Sequence, residues 1–285
     1  MGLSIRALSN ADRAALEAFL HGHADSSMFL RSNVRAAGLT YEGKPLQAEY
    51  VAAFDGDRIV AVAAHCWNGM ILVQSPDPAA LAAVVREAVQ VSKRAVSGIS
   101  GPAEQVEAAA RALGTAGRRA HKSGNEELFA LDLADLVVPP PLAAGQWKSR
   151  RANAAELDLL TEWRVGFQRE ALHRDESPEL QASAREEIEL LHREGLDWVL
   201  EDGGRVVAYS TFNARLPDAV QVGGVWTPPE WRGRGYGRAV VAGSLLDARA
   251  EGVRRGVLFA ERADAKRAYI GIGFRPVGRY GLILF

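Results

Sequence analysis

The sequence predicts an α/β protein made of two consecutive domains of similar order, and three observations carry that expectation. A succession of strand, two helices, hairpin, strand and helix is read twice along the chain. Two hairpins at matching places are alike: 50–61 reads Y-V-A-A-F-D-G-D-R-I-V-A and 198–208 reads W-V-L-E-D-G-G-R-V-V-A. Between the repeats lies Val137-Val138-Pro139-Pro140-Pro141, whose missing N–H groups disfavour a helix interior or an inner strand. The expected division is a first domain at 1–136, a proline-rich linker at 137–145 and a second domain at 146–285.

In the first half, 2–8 alternates apolar and polar residues as a strand does, and Asn10 is expected to cap a helical run over 11–22. A second short helix is expected at 26–37. Strands follow at 49–54 and 58–66 across Asp55-Gly56-Asp57, then at 70–74. A helix at 79–94, a strand at 97–100, a helix from 101 to 114 and a strand at 128–133 complete the half. The second half reads the same way: strand 146–152, a helix from 154 to 172 after Asn153, and a helix opened by Ser177-Pro178-Glu179. Serine there suits the N-cap and proline the first helical position. Strands at 198–201, 205–212 and 219–227, a helix at 238–250, a strand at 256–260, a helix at 264–271 and two strands at 274–277 and 280–285 follow.

Composition narrows the class of function. At 48% hydrophobic and 24% charged, the chain is that of a soluble globular protein. A net charge of −1 gives no basic field for nucleic acid or an anionic membrane. The single cysteine, Cys66, excludes an intramolecular disulfide. No metal is expected, since His21 and His23 have no third ligand cluster beside them. No apolar run is long enough to span a bilayer and no signal-peptide start is visible, so a cytoplasmic location is expected.

The chemistry concentrates in 226–239, W-T-P-P-E-W-R-G-R-G-Y-G-R-A, between an apolar strand and a helix. Glycines let the backbone approach a ligand closely, and the first N–H groups of a helix have no partner within it. With the helix dipole and neighbouring arginines, such a turn suits a pyrophosphate. The spacing is not that of a P-loop, which needs Lys-Ser or Lys-Thr, nor of a dinucleotide fingerprint, which needs G-x-G-x-x-G early in a βαβ unit. The pattern met is R-x-x-G-x-G, at Arg232, Gly235 and Gly237.

In these residues the chain resembles the GNAT superfamily of acyl-CoA-dependent N-acyltransferases. The resemblance continues through the strand at 256–260 into A-Y-I-G-I-G-F-R-P-V at 268–277, which is similar to the end of a GNAT domain. It implies two tandem GNAT-like domains, each a mixed, mostly antiparallel central sheet flanked by helices. The first half has Ser75-Pro76-Asp77-Pro78 at its strand-to-helix junction in place of R-x-x-G-x-G, and is expected to be a non-catalytic, degenerate copy.

The resemblance assigns roles residue by residue. Val225, Trp226 and Thr227 supply backbone contacts to the pantetheine arm. Arg232, Gly233, Arg234, Gly235, Tyr236, Gly237 and Arg238 surround the pyrophosphate. Tyr269 stands where many GNAT enzymes place the general acid toward the thiolate, and a phenol can donate at neutral pH. The asparagine usual before that tyrosine is missing, with Asp264, Ala265 and Lys266 in its stretch. The strand position that carries a glutamate base in some members is here about Gln221, which cannot ionise. Candidates for the base are then Glu170, His173, Asp175 and Glu176; Glu170 is preferred because its spacing puts it on the Trp163/Phe167 side of its helix. Gly223-Gly224 is read as a local irregularity of the central strand.

The expected function is direct transfer of an acetyl group from acetyl-CoA to a primary amine. A non-catalytic acyl-CoA-binding sensor is the alternative, and an RNA-binding Arg/Gly segment is disfavoured by the charge. The expected partner is a small-molecule or peptide amine acceptor, with neither nucleic acid nor membrane, and a homodimer stays open.

Overall fold

In the computed structural model, which describes residues 2–285, the chain forms two compact units, one of residues 2–128 and 278–285 and the other of 129–277. The first contains strand β1 (Ser4–Ala7), helices α1 (Arg13–His21) and α2 (Met28–Ala37), strands β2 (Ala48–Asp55), β3 (Arg58–Cys66) and β4 (Met70–Gln74), helix α3 (Pro78–Ser92), strand β5 (Gly98–Pro102), helix α4 (Ala103–Ala112) and the start of strand β6 (Lys122–Asp132). Strands β1 to β4 pair antiparallel in sequence order. The β4–β5 pair is parallel, from Met70↔Gly98 to Leu72↔Ser100. Alternation along β2 and β3 sends Tyr50, Ala52, Val62 and Ala64 to one core and Val51, Ala53, Ala61 and Ala63 to another on the opposite face.

The second unit runs through helix α5 (Pro140–Ala143), strand β7 (Trp147–Arg151), helices α6 (Leu157–Leu172) and α7 (Pro178–Arg193), strands β8 (Asp197–Asp202), β9 (Arg205–Arg215) and β10 (Ala219–Trp226), helix α8 (Tyr236–Ala250), strand β11 (Arg255–Ala260), helix α9 (Ala263–Ile270) and the start of strand β12 (Arg275–Leu284), the rest of which belongs to the first unit. Strands β7, β8, β9 and β10 again pair antiparallel in order, and β10–β11 is the parallel pair. Helix α8 is buried along most of its length, from Tyr236 to Ala248, so its register against the sheet is fixed by packing. Trp198 is fully buried against Phe212 at 4.3 Å, and its indole N–H donates to Asp247 of α8 at 2.8 Å. The repeat read in the sequence is thus the fold: each unit follows strand, two helices, three strands, helix, strand, helix. Both have a mixed, mostly antiparallel sheet with flanking helices.

Two expectations meet a different outcome. The passages between units fall within strands, at 128/129 and 277/278, whereas 137–145 lies inside the second unit. There the prolines start α5 instead of breaking structure: Pro139 is its N-cap and Pro140 its first residue, where no backbone N–H is required. The two expected C-terminal strands are one, β12, whose last residues from Tyr280 to Leu284 pair antiparallel with β5. The Asn153 and Ser177 caps are as read, whereas the turn leading into α1 is capped by Ser9, with Asn10 as its first residue. Ser177 Oγ accepts from the Leu180 N–H at 3.1 Å, with Pro178 opening α7.

Candidate acyl-CoA site

The site begins where β10 leaves its parallel neighbour. Registered pairs with β11 run from Ala219↔Arg255 to Val222↔Leu258, while β10 continues to Trp226. On its other edge the register to β9 shifts between Gln221 and Val222 and again between Gly223 and Trp226. The glycine pair explains the second shift. Gly224 has φ +58°, and a Cβ there would lie 2.7 Å from Arg164 Nη1 and 2.8 Å from Thr211 Oγ1. A Cβ at Gly223 would meet Asn213 Nδ2 at 1.9 Å. The Thr211 hydroxyl donates to the Gly223 carbonyl at 2.9 Å, pinning the bulge. The irregularity expected of this strand is present and built from both sides.

Past β10, a short turn at Pro229–Trp231 leads to Gly233 at φ +77° and Gly235 at φ +89°, the N-cap of α8. No side chain caps this helix. Its first backward bond is from the Ala239 N–H to the Gly235 carbonyl at 3.2 Å. The N–H groups of Tyr236, Gly237 and Arg238 are therefore left for an outside acceptor. Helix α3 holds the corresponding place in the first unit and is closed. Pro78 is its first residue, and the Asp77 carboxylate accepts from the Ala79 N–H at 2.8 Å and the Ala80 N–H at 3.4 Å. The end of β4 is filled as well: the Gln105 side-chain carbonyl takes the Ser75 N–H at 2.7 Å, and Gln74 Oε1 accepts from Ser26 at 2.9 Å and Ser27 at 3.2 Å.

Around the α8 terminus the predicted residues divide by role. Arg234 and Arg238 are exposed, with the Arg234 guanidinium 4.9 Å from the Trp231 ring centroid. Val225 and Thr227 face the first turn of α8, since a Cβ on Gly237 would be 3.4 Å from Thr227 Oγ1 and 3.9 Å from Val225 Cγ1. Tyr236 differs from the expectation. Its ring is buried, edge-on to Trp147 at 5.0 Å, and its hydroxyl donates to the Asp202 carboxylate, which holds the phenol above its ordinary pKa. Only its N–H remains to face a ligand.

Arg232 stacks over Trp226, 4.9 Å from the ring centroid, and donates from Nε to the Thr227 carbonyl at 2.9 Å. Its fork is held by Glu170: Nη1 donates to Oε1 at 3.1 Å and Nη2 to Oε2 at 2.8 Å. Glu170 Oε1 also accepts from Arg262 at 2.8 Å. The candidate base is thus engaged by two guanidiniums. Trp163 and Phe167, on whose side of α6 it was expected, are half-buried, while the buried stripe of α6 runs through Leu160, Arg164 and Gln168. Gln221 turns its amide onto the Val222 carbonyl at 2.6 Å. Tyr269 sits on α9 at 9% exposure, edge-on to Phe274 at 6.2 Å, in the same core cluster as Tyr236.

Motif reading did not find the polar network under α6. Arg164, 7% exposed, pairs side-on with Glu187 of α7, with Nε to Oε2 at 2.8 Å. Gln168 donates to the same carboxylate at 3.0 Å and accepts from Arg174 at 2.9 Å. The signal available was the i, i+4, i+8 series Leu160, Arg164, Gln168 at the period of a buried face. Above this network, an open depression of about 540 Å³ is lined by Gly166, Arg169, Glu170, His173, Arg174, Asp175 and Glu176. Among the described residues, no group of three or more His, Cys, Asp or Glu is placed to hold a metal ion. Among them also, no helix is long and apolar enough to cross a membrane.

Comparison with known proteins bears on this geometry. Residues 157–274 match the model of the acetyltransferase (GNAT) family. No curated protein matches the chain. Solved structures similar to it include a GCN5-related N-acetyltransferase from Sphaerobacter thermophilus, at TM-score 0.59 and 17% identity over 99% of this chain and 94% of that one. A tandem GNAT protein from the clavulanic acid biosynthesis pathway aligns at TM-score 0.53 and 14% identity over 99% and 98%. The chain also aligns over 99% of its length, at TM-score 0.55 and 17% identity, with a fungal multi-domain protein carrying a GCN5-related glucosamine N-acetyltransferase region, and it spans 38% of that protein. At these identities the structures speak to the fold, and the family model speaks to the segment that carries the open helix terminus. Over residues 157–274 the chain matches the acetyltransferase (GNAT) family, and its fold is one that solved GNAT proteins share.

Proposed function

We propose that the second unit transfers an acyl group, acetyl in the simplest case, from acyl-CoA to a primary amine. The observation that carries the reading is the uncapped N-terminus of α8 beside a strand that has left its parallel ladder. Three backbone N–H groups at a positive helix end, flanked by Arg232, Arg234 and Arg238, fit a pyrophosphate. Gly233 and Gly235 take the positive φ that brings the loop backbone close to that anion. The backbone of Val225, Trp226 and Thr227, beyond the last β11 pair, offers hydrogen-bonding groups to the pantetheine arm. Bound acyl-CoA would supply the activated thioester. Tyr269 is assigned the proton donated to the departing thiolate.

Transfer is direct in this reading. The single cysteine, Cys66, is buried in the first unit, and burial pushes its thiol up to about 12, so it offers no thiolate. The first unit, with Asp77 seated on its own helix terminus, is assigned no catalytic part. The acceptor amine is assigned to the depression at the end of α6. With its oxygens engaged by Arg232 and Arg262, Glu170 is not assigned the amine's proton.

The test is calorimetric titration with coenzyme A and acetyl-CoA, followed by release of free thiol from acetyl-CoA in the presence of a panel of primary amines. Saturable binding with amine-dependent thiol release is expected. Binding without release for any amine would leave a sensor, and no binding would refute both readings.

A further inference from the structure

We propose that Glu170 is an internal competitor for the pyrophosphate loop: its carboxylate occupies the fork of Arg232, and acyl-CoA must displace it. This rests on the reading that Arg232 faces the pyrophosphate. A guanidinium has two edges able to grip an anion bidentately. On Arg232 the end-on edge is filled by Glu170, at 3.1 and 2.8 Å, and the Nε edge is spent on the Thr227 carbonyl at 2.9 Å. A phosphate can be gripped by two parallel bonds only if one edge is vacated. Thr227 offers a backbone carbonyl next to the β10 strand, whereas Glu170 is a side chain two residues before the end of α6. Glu170 is the partner that leaves.

Its departure is felt on the acceptor side. Glu170 lines the depression with Gly166, Arg169, His173 and Arg174. Arg262 shares the Glu170 carboxylate and is also paired with Asp264 at 3.0 Å, so it can retain Glu170 after Arg232 has turned. The Trp226 ring lies under Arg232 and against α6, where a Cβ on Gly166 would come within 2.8 Å of it. One carboxylate therefore belongs both to the wall of the amine depression and to the cofactor loop. Binding at either place changes affinity at the other by the same factor.

Coenzyme A is titrated calorimetrically into the wild type, E170Q and E176Q. Glu176 lines the same depression but pairs with Arg169, at 2.8 Å. E170Q should bind coenzyme A about two- to fivefold more tightly, the size of an exposed ion pair, and the gain should shrink at high salt. E176Q should match the wild type. Equal or weaker binding by E170Q, or the same gain in E176Q, overturns the proposal. In the wild type, coenzyme A should protect amides 233–238 from hydrogen exchange and speed exchange at 170–176. Unchanged exchange at 170–176 overturns the coupling without any variant. Failure of the wild type to bind coenzyme A is a separate outcome that removes the underlying acyl-CoA reading instead.

Discussion

Replacing Gly237 by aspartate separates the helix from its proposed ligand, because the same change should help one and harm the other. Gly237 is the second residue of α8, and a Cβ there would meet nothing nearer than 3.4 Å, ordinary van der Waals contact. The first turn of α8 holds no acid. A carboxylate at that place gains about 0.3–1 kcal/mol from the helix dipole, and leaving glycine adds a few tenths more. Thermal unfolding of the unit should therefore rise by about 1–3 °C. The pyrophosphate would face the new charge. Two unit charges about 4 Å apart near a protein surface repel by about 4 kcal/mol; halved for solvent, this leaves about 2 kcal/mol, roughly a thirtyfold loss in coenzyme A affinity. Gly237→Ala is the control, with the same Cβ and no charge, and should bind as the wild type does. Calorimetry and a thermal melt read both effects. A G237D protein that melts normally and binds coenzyme A undiminished would refute the placing of the pyrophosphate at this helix end. Loss of binding in G237A would show that the effect is steric.

Three further outcomes are expected. Tyr269→Phe should leave coenzyme A binding unchanged and slow acyl transfer about a hundredfold, read as kcat with whichever amine releases thiol; an unaltered kcat removes Tyr269 from the chemistry. Gly224→Ala should cost about 2–4 kcal/mol in urea unfolding, since its φ of +58° and contacts of 2.7 and 2.8 Å leave no room for a methyl group. His65 is fully buried, and burial, then the Arg94 charge, lowers its pKa to about 4. The unfolded chain then binds a proton that the folded one refuses, so stability is complete above about pH 6.5 and falls by about 3 kcal/mol as pH drops toward 4. His65→Gln should flatten that part of the pH–stability curve, and an unchanged slope would show that another group titrates.

What the sequence revealed was local, and what it hid was contact over distance. The Asp-Gly and Gly-Gly turns, the Ser177-Pro178 helix start and the R-x-x-G-x-G run announce themselves through backbone requirements of single residues. From these the repeated order of elements followed. Periodicity, by contrast, left the polar network of α6 unread, where Arg164 and Gln168 are buried because Glu187 on another helix satisfies them. The mid-strand passages between units depend on non-local pairing, such as Tyr280↔Pro102, that no window of sequence contains. Glu170 could be nominated from its helix face, but its partners lie 62 and 92 residues away, and they change what the carboxylate is able to do.

The two units treat one structural problem in opposite ways, and this is the strongest physical reason to place chemistry in only one of them. Each has a helix that follows a strand at the parallel pair, with its first N–H groups in need of acceptors. In α3 the need is met from within: Asp77 takes two N–H groups and proline removes a third. A cap of that kind is worth about 1 kcal/mol to a helix. Helix α8 forgoes it, with a glycine at N-cap held at φ +89°, where even an aspartate could not fold its side chain back in the usual capping geometry. Its length is nonetheless secured by burial from Tyr236 to Ala248 and by the tie from Tyr236 to Asp202. A terminus kept open on a helix that packing already holds rigid is preorganised for an anion, since neither the loop nor the helix must order when the ligand arrives. Supplying α8 with its own carboxylate, as G237D does, should therefore convert the second unit toward the closed condition of the first.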